Sequence, residues 1–163
     1  MKRSAIWYLL AAGVLVLDQW SKIIILDWPL LAAQGKITVT PFFNWVLTWN
    51  PGAAFSFLAG AGGWQRWLFV ALALGISVWI ALEIHRHPGE KWLCLALSLV
   101  MGGALGNVLD RLRFGVVLDF IQLHAAGFYW PAFNLADAAI TAGALLLLGA
   151  ALRGSRLPKK GKP

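Results

Sequence analysis

The chain contains 163 residues, of which 60% are hydrophobic and 13% are charged, and its mean hydropathy is +0.70. A composition this apolar excludes an ordinary soluble domain and places the chain in a lipid bilayer. The formal net charge of +7 does not indicate a nucleic-acid-binding protein, because the basic residues flank the apolar stretches and form no patch interleaved with aromatic residues.

Four apolar stretches are long enough to cross the hydrocarbon core of a membrane as helices, which takes about 17–25 residues. They cover residues 5–26, 67–84, 92–109 and 135–152. The first follows Lys2 and Arg3, as in a secretory signal, but no small-residue cleavage site comes after it, so we interpret it as a retained helix. The sequence therefore predicts one integral membrane domain, residues 1–163, with four transmembrane helices.

Basic residues predict how these helices are oriented. Nine lysines and arginines fall on one side of the membrane if there are four spans: Lys2, Arg3, Arg86, Lys91, Arg153, Arg156, Lys159, Lys160 and Lys162. In membrane proteins the cytoplasmic loops carry the excess of such residues. We therefore expect both termini in the cytoplasm and the two longer connections on the opposite, outer face.

The two outer connections contain strand-like segments. In the first, Ile37-Thr-Val-Thr40 alternates apolar and polar residues and residues 42–49 are rich in aromatic side chains, which predicts a short twisted hairpin. Asn50-Pro-Gly52 then supplies a turn. In the second, Val116 and Val117 favour a further strand within residues 114–123. The predicted fold is an all-α membrane protein with a small β-sheet on its outer face.

Polar and charged side chains gather near this outer face. Topology puts them at the outer ends of the first, third and fourth helices and in the loop between the last two: Asp18, Lys22, Asn107, Asp110, Arg111, Asp119, Asn134 and Asp137. An ionisable side chain in a transmembrane segment costs roughly 2.5–3.5 kcal/mol on insertion scales. Such residues need partners or a function, and their convergence on one leaflet indicates a polar site.

Some of these residues have ordinary structural explanations. Asp18 and Lys22 are four residues apart on one helical face and can form an ion pair. Asp110 and Arg111 are adjacent and point in different directions, so we expect them to hold different neighbours.

Two further spacings indicate packing and capping. Gly102-x-x-x-Gly106 allows another helix to approach the third span closely. Asn134 and Asp137 have the spacing of a helix N-cap with an acidic third position. Both patterns are typical of ordinary membrane helices.

The pair Asp119 and Asp137 indicates catalysis. Asp119 lies in a strand-like Val-Val-Leu-Asp-Phe run with no evident cap or partner. Two carboxylates that meet at a dry, lipid-bordered surface can share a proton and activate water. Asp137 falls in a first helical turn, where the helix dipole favours an anion by about 0.3–1 kcal/mol. The pattern predicts an aspartic-type hydrolase with Asp137 as base and Asp119 as acid.

Two functions of other classes remain open on these residues. A small proton- or ion-translocating membrane subunit would use Asp18, Lys22, Asp110 and Asp137 as a path, although the inner halves of the spans are nearly free of charge. A scaffold that organises partner proteins would need neither aspartate for chemistry.

Metal and thiol chemistry are not expected from the sequence. His124 has no second His or Cys on the outer side with which to bind zinc. Cys94 is the only cysteine, so it forms no internal disulfide, and a lone buried cysteine usually packs as a small hydrophobe.

Five segments in order along the chain carry a family resemblance. They are Asp18-Gln-Trp-Ser-Lys22, Asn50-Pro-Gly-Ala-Ala-Phe55, Gly102-Gly-Ala-Leu-Gly-Asn-Val-Leu-Asp-Arg111, Val116-Val-Leu-Asp-Phe-Ile121 and Trp130-Pro-Ala-Phe-Asn-Leu-Ala-Asp137. Together they resemble the lipoprotein signal peptidases of bacteria, also called type II signal peptidases. The resemblance covers all four spans and both outer connections.

The resemblance implies an aspartic endopeptidase of the bacterial inner membrane, with a small periplasmic β-sheet cradle and its active site at the periplasmic face. Such an enzyme removes the signal peptide from diacylglyceryl-modified prolipoproteins, cutting before the lipidated cysteine. The resemblance further implies contact with membrane lipids, inhibition by globomycin-type peptides, and no metal or organic cofactor.

The resemblance also assigns roles to individual residues. The catalytic pair would be Asp119 and Asp137. The residues that bind substrate or support the site would be Asn50, Gly52, Asn107, Asp110, Arg111 and Asn134. Asp18 and Lys22 would support the scaffold.

Overall fold

The computed structural model describes residues 2–52, 60 and 62–152, with side chains described from Ser4 onward. The elements in chain order are α1 (Lys2–Leu26), α2 (Pro29–Gln34), β1 (Lys36–Thr40), β2 (Phe43–Asn50), α3 (Gln65–Arg86), α4 (Lys91–Phe114), β3 (Val117–Ala125), β4 (Phe128–Tyr129) and α5 (Leu135–Leu152). Residues 53–55 of the Asn50 motif and the basic residues of 153–162 lie outside the described residues.

Four helices match the predicted spans. Helices α1, α3, α4 and α5 are long enough to cross a membrane, with mean hydropathies between 1.8 and 2.2. The predicted number and order of spans are confirmed, but α4 continues past Leu109 to Phe114. Gly115 ends it in the left-handed conformation at φ 82°, with its N–H bonded to the Arg111 carbonyl. Asp110 and Arg111 therefore lie near the outer end of this helix, as predicted.

Helix α4 is the centre of the bundle. In its most apolar stretch, 56% of the residues are buried inside the protein. The corresponding share is 22% in α1, 22% in α3 and 11% in α5. Gly102 faces α1, where an added Cβ would lie 2.5 Å from the Ala11 carbonyl oxygen, and Gly106 faces the Asp18 carboxylate. The packing role predicted for this glycine pair is confirmed. Gly103 has the same role toward α5, against the Ala136 carbonyl oxygen.

Gly103→Ala is expected to lower the free energy of unfolding by about 1–3 kcal/mol, because overpacking forces backbone shifts. The new methyl group would meet the Ala136 carbonyl and would lie 2.9 Å from Cγ1 of Ile140. Gly75→Ala on α3 is the matched control, since its Cβ would enter open space. Thermal unfolding in one detergent compares the two variants, and an equal loss in both would contradict the close α4–α5 contact.

The outer connections form one antiparallel four-stranded sheet in the order β1-β2-β3-β4. In the predicted hairpin, Ile37 of β1 lies opposite Trp45 of β2. The predicted third strand pairs with β2, with Thr48 opposite Asp119. The hairpin and the added strand are confirmed, whereas β4 and the short helix α2 were not predicted.

A small apolar core fixes the sheet to the ends of the helices. Its buried members come from α1, α2 and β3: Ile25, Leu31, Leu118 and Phe120. Trp28 and Trp45 pack against this cluster. Because Leu118 and Phe120 flank Asp119 and are almost fully buried, the core holds the strand that carries this aspartate in place.

Candidate active site

Asp137 is positioned by the cap of α5. The side-chain oxygen Oδ1 of Asn134 accepts the Asp137 N–H at 2.9 Å, and the Asn134 N–H donates to Oδ2 of Asp137 at 3.4 Å. The predicted capping arrangement is therefore confirmed. It satisfies two N–H groups that the first turn of a helix leaves without intrahelical partners.

Asp119 is held by two side-chain amides. Asn134 Nδ2 donates to its Oδ1 at 2.8 Å, and Asn50 Nδ2 donates to its Oδ2 at 3.1 Å. The resemblance placed both asparagines at the site, but no local pattern indicated that they bond to Asp119, since Asn50 lies 69 residues away along the chain. Among the described residues no hydrogen bond joins the carboxyl groups of Asp119 and Asp137 directly. Asn134 contacts both, so it connects the pair.

Asn107 holds the other side of Asp137. Its Nδ2 donates to Oδ1 of Asp137 at 2.8 Å. Its Oδ1 accepts from Lys22 Nζ at 3.4 Å and from Asn134 Nδ2 at 3.3 Å. This pattern requires one orientation of the Asn107 amide, with the nitrogen toward Asp137.

The predicted ion pair between Asp18 and Lys22 is confirmed, with Nζ 2.8 Å from Oδ2. Lys22 also lies 2.8 Å from Oδ2 of Asp110, which the sequence did not indicate. Asp110 and Arg111 hold different neighbours, as predicted. Whereas Asp110 binds Lys22, Arg111 donates from Nη2 to the Gly52 carbonyl at 2.8 Å.

Gln19 belongs to this polar cluster and was not identified from the sequence. Its Nε2 donates to Oδ1 of Asp110 at 2.8 Å, to the Gly106 carbonyl at 3.2 Å and to Asp18 at 3.2 Å. The available signal was an uncharged polar residue beside Asp18 in an otherwise apolar span.

A cavity of about 940 Å³ opens beside the aspartates. Its polar end is lined by Asn50, Gly52, Asn107, Arg111 and Asp137. Its other walls are mainly apolar and include Val117, Pro131, Ile140 and Leu145.

The two aspartates differ in access to this cavity. Asp137 is among the residues that line it, and Asp119 is not. Asp119 is only 2% exposed, with Asn50 bonded to its Oδ2. Asn50, which donates to Asp119, itself lines the cavity.

The surroundings of Asp119 favour its neutral form. Burial, followed by the nearby negative charge of Asp137, raises the pKa of the Asp119 carboxyl from 3.8 to about 7. The hydrogen bonds from Asn50 and Asn134 and the charge of Lys22 lower this pKa, but burial outweighs them. Near neutral pH a substantial fraction of Asp119 is protonated and able to donate a hydrogen bond.

His124 and Cys94 lie apart from this site. His124 stacks on Tyr129 at a centroid distance of 5.1 Å. Cys94 is buried near the opposite end of α4 and donates from Sγ to the His87 carbonyl at 3.1 Å. In the part of the chain that the structure describes, no three His, Cys, Asp or Glu side chains form a group that could hold a metal ion.

Residues 10–153 match the sequence model of the family described as signal peptidase (SPase) II. The chain belongs to this family. It is 52% identical over 149 residues to a lipoprotein signal peptidase of Polynucleobacter necessarius, covering 90% of this chain and 88% of the relative. It is 49% identical over 151 residues to a lipoprotein signal peptidase of Cupriavidus pinatubonensis, covering 93% and 85%.

Two solved bacterial membrane enzymes, both obtained by the in meso method, have the same fold. One superimposes with a TM-score of 0.75 at 29% identity, covering 98% of this chain and 94% of that enzyme. The other gives a TM-score of 0.73 at 30% identity, covering 91% and 94%. These likenesses confirm the predicted fold class, four transmembrane helices with a small antiparallel sheet.

Family membership confirms that the chain is a protease of the aspartic type, as the resemblance implied. It does not favour the ion-translocating alternative. The chain is a multi-pass membrane protein, with four helices of membrane-spanning length.

Proposed function

We propose that this chain is an endopeptidase that removes signal peptides from diacylglyceryl-modified prolipoproteins, cutting before the lipidated cysteine, with Asp119 and Asp137 as its catalytic pair. The observation that carries the proposal is their arrangement. The Asp137 carboxylate of α5 lies at the polar end of a mostly apolar cavity, and Asn134 connects it to the buried Asp119 carboxylate of β3. The names of the relatives support the substrate class.

In this mechanism Asp137 begins as the anion and Asp119 as the neutral acid. The first turn of α5 favours negative charge, and Asn107 and Asn134 donate to the Asp137 carboxylate. Asp137 takes a proton from a water molecule as the water oxygen attacks the scissile carbonyl carbon. The protonated Asp119 hydrogen-bonds to the carbonyl oxygen, where negative charge develops. The carbon–nitrogen bond then breaks as Asp137 gives the proton it took from water to the leaving amine nitrogen, which restores the Asp137 carboxylate.

Asn50 and Arg111 shape the entrance to this chemistry. Because Asn50 both donates to Asp119 and lines the cavity, a substrate carbonyl that replaces the Asn50 amide gains contact with Asp119. Arg111 binds the Gly52 carbonyl and so holds the turn that carries Asn50. Asn107 and Asn134 support the site by orienting the two carboxyl groups.

The apolar walls of the cavity suit hydrocarbon. Side chains of α5 such as Ile140 and Leu145 face it within the span, so the acyl chains and apolar signal segment of a substrate stay in a lipid-like environment while the scissile bond reaches Asp137. Membrane lipids contact the exposed faces of the helices, and globomycin-type peptides inhibit the enzyme by filling this cavity.

The positive-inside pattern supports a cytoplasmic location for both termini. The sheet and the aspartates then face the periplasm from the inner membrane of a bacterium. A proton or ion path needs polar residues through the full thickness of the membrane. The inner halves of the four spans are nearly free of charged residues, which favours the peptidase over a conducting protein.

Purified protein is expected to cleave a diacylglyceryl-modified precursor in lipid or detergent and to leave the unmodified precursor uncut. Product size and its new N-terminal residue measure the reaction. The proposed chemistry uses carboxyl groups and water, so EDTA is expected to leave the rate unchanged. Folded protein that fails to cut the modified precursor would refute the proposed function.

The pH dependence of kcat/KM tests the acid role of Asp119. Because Asp119 acts in its protonated form, activity is expected to fall as pH rises through about 7. The Asn50 bond lowers the pKa of Asp119, so Asn50→Ala is expected to move this decline to higher pH. Thr40→Ala, at the far end of the hairpin, is the control and is expected to leave the decline in place. A decline that is unmoved in Asn50→Ala contradicts the assignment.

A further inference from the structure

Three buried charged residues from two helices form an ion cluster beside the site. Lys22 of α1 lies 2.8 Å from Oδ2 of Asp18 and 2.8 Å from Oδ2 of Asp110 on α4. Their exposures are 3%, 0% and 1%. None of the three lines the cavity, so they do not contact a substrate held there. We refer to Asp18, Lys22 and Asp110 as the acid–lysine bridge.

Each carboxylate of the bridge also accepts a backbone N–H next to a catalytic aspartate. Asp18 Oδ1 accepts the N–H of Ala136 at 2.9 Å, and Ala136 directly precedes Asp137. Asp110 Oδ2 accepts the N–H of Leu118 at 3.1 Å, and Leu118 directly precedes Asp119. The bridge thus contacts the two backbone segments that carry the proposed catalytic pair.

We propose that Lys22 is a positioning residue that sets the separation of Asp119 and Asp137 by clamping together the two carboxylates to which their backbones are bonded. The inference rests on the proposed function. Lys22 contributes no atom to the reaction and acts through Asp18 and Asp110.

Electrostatics explain why a lysine is needed here. Two carboxylates in a water-poor interior repel each other strongly unless a cation lies between them. Removal of the Lys22 charge would drive Asp18 and Asp110 apart or rotate their side chains. The Ala136 and Leu118 N–H groups would move with them, and the two catalytic carboxyl groups would lose their mutual geometry.

A second contact of Lys22 also helps to position Asp137. Its Nζ lies 3.4 Å from Oδ1 of Asn107, whose Nδ2 donates to Asp137 at 2.8 Å. The lysine therefore favours the orientation of the Asn107 amide that presents its nitrogen to Asp137. Displacement of reacting groups by about 1 Å can cost on the order of 100-fold in rate, so even modest relaxation of the bridge has a large effect.

The test is Lys22→Met, which keeps most of the stem and removes the charge. Steady-state cleavage of a diacylglyceryl-modified precursor is expected to show a kcat lowered by about 100-fold, with KM changed by less than about twofold. Tyr8→Phe is the matched control on α1. It removes the bond from Tyr8 Oη to the Ala81 carbonyl at 2.8 Å, away from the aspartates, so thermal stability falls while kcat is retained.

A double variant separates positioning from simple stabilisation. Lys22→Met leaves two buried like charges, and adding Asp18→Asn removes one of them while the Asn oxygen can still accept the Ala136 N–H. Asp18→Asn/Lys22→Met is therefore expected to recover thermal stability relative to Lys22→Met, but its kcat stays low because the bridge is still absent. If the double variant recovers kcat together with thermal stability, the proposal is overturned. This test can be made even if Lys22→Met alone does not fold, because it is read from the double variant.

Failure of this proposal is distinguishable from failure of the proposed function. Wild-type protein that does not cleave the precursor refutes the function and this inference with it. Wild-type cleavage that is lost in Asp119→Asn, combined with a folded Lys22→Met variant whose kcat is within about threefold of wild type, overturns only the positioning role.

Discussion

Replacing either Asp119 or Asp137 by Asn is expected to lower kcat for precursor cleavage by about 10³-fold or more, because each substitution removes one partner of a general acid–base pair. Asn has nearly the volume of Asp, so the cap of α5 and the sheet should persist. Single-turnover cleavage of a diacylglyceryl-modified precursor by purified, folded variants measures the loss. Retained cleavage in either variant would remove that residue from the catalytic pair.

The stability of Asp119→Asn provides its control. The pKa of Asp119 is about 7 in the folded protein against 3.8 for a free side chain, so the folded state binds this proton more tightly than the unfolded state. Wild-type stability is therefore lost as pH rises from about 4 to 7, by about 4 kcal/mol at 1.36 kcal/mol per pKa unit. Asn cannot ionise. Thermal unfolding should show Asp119→Asn more stable than wild type above pH 7, with little difference near pH 4.

Asn134→Asp is expected to lower kcat by about 100-fold or more. Asp caps a helix about as well as Asn, so the start of α5 should be retained. The substitution removes the amide that donates to Asp119 at 2.8 Å and adds a third carboxylate beside the pair. Repulsion should displace Asp119 from Asp137 and disturb their sharing of a proton.

Asn134→Ser separates capping from this amide contact. Ser also caps a helix well. It has no side-chain amide to donate to Asp119, and it adds no charge. We expect a kcat between those of wild type and Asn134→Asp, with thermal stability close to wild type. If Asn134→Asp and wild type cleave the precursor equally, the connection through Asn134 has no part in catalysis.

Local patterns predicted most of the fold. Length and hydropathy identified four spans because a helix must cover the full hydrocarbon thickness, and α1, α3, α4 and α5 meet that need. Alternation in β1 and the β-branched start of β3 predicted strands. Helix α4 continues beyond the apolar stretch that ends at Leu109, because hydropathy identifies only the part of a helix that crosses the hydrocarbon core. Asp110 and Arg111 lie in its polar end, where both are bonded inside the protein, and Gly115 ends the helix.

The candidate site was likewise predicted only in part from the sequence. The order of its motifs identified Asp119 and Asp137 and the asparagines around them, and the spacing of Asn134 and Asp137 predicted the cap. Nothing in the sequence indicated Gln19, or that Asn50 bonds to Asp119. Such facts depend on which side chains meet after the helices pack.

The sequence by itself determined the four membrane spans and the cap of α5, because hydropathy and capping are properties of neighbouring residues, and its five motifs carried the resemblance that implies an aspartic protease. Only the tertiary structure decided how the two aspartates are held. The bond from Ala136 to Asp18 joins residues 118 positions apart, and it forms because glycines on α4 let α1 and α5 approach closely enough for these groups to meet. A contact of that kind has no local signature, since it depends on the packing of three helices at once.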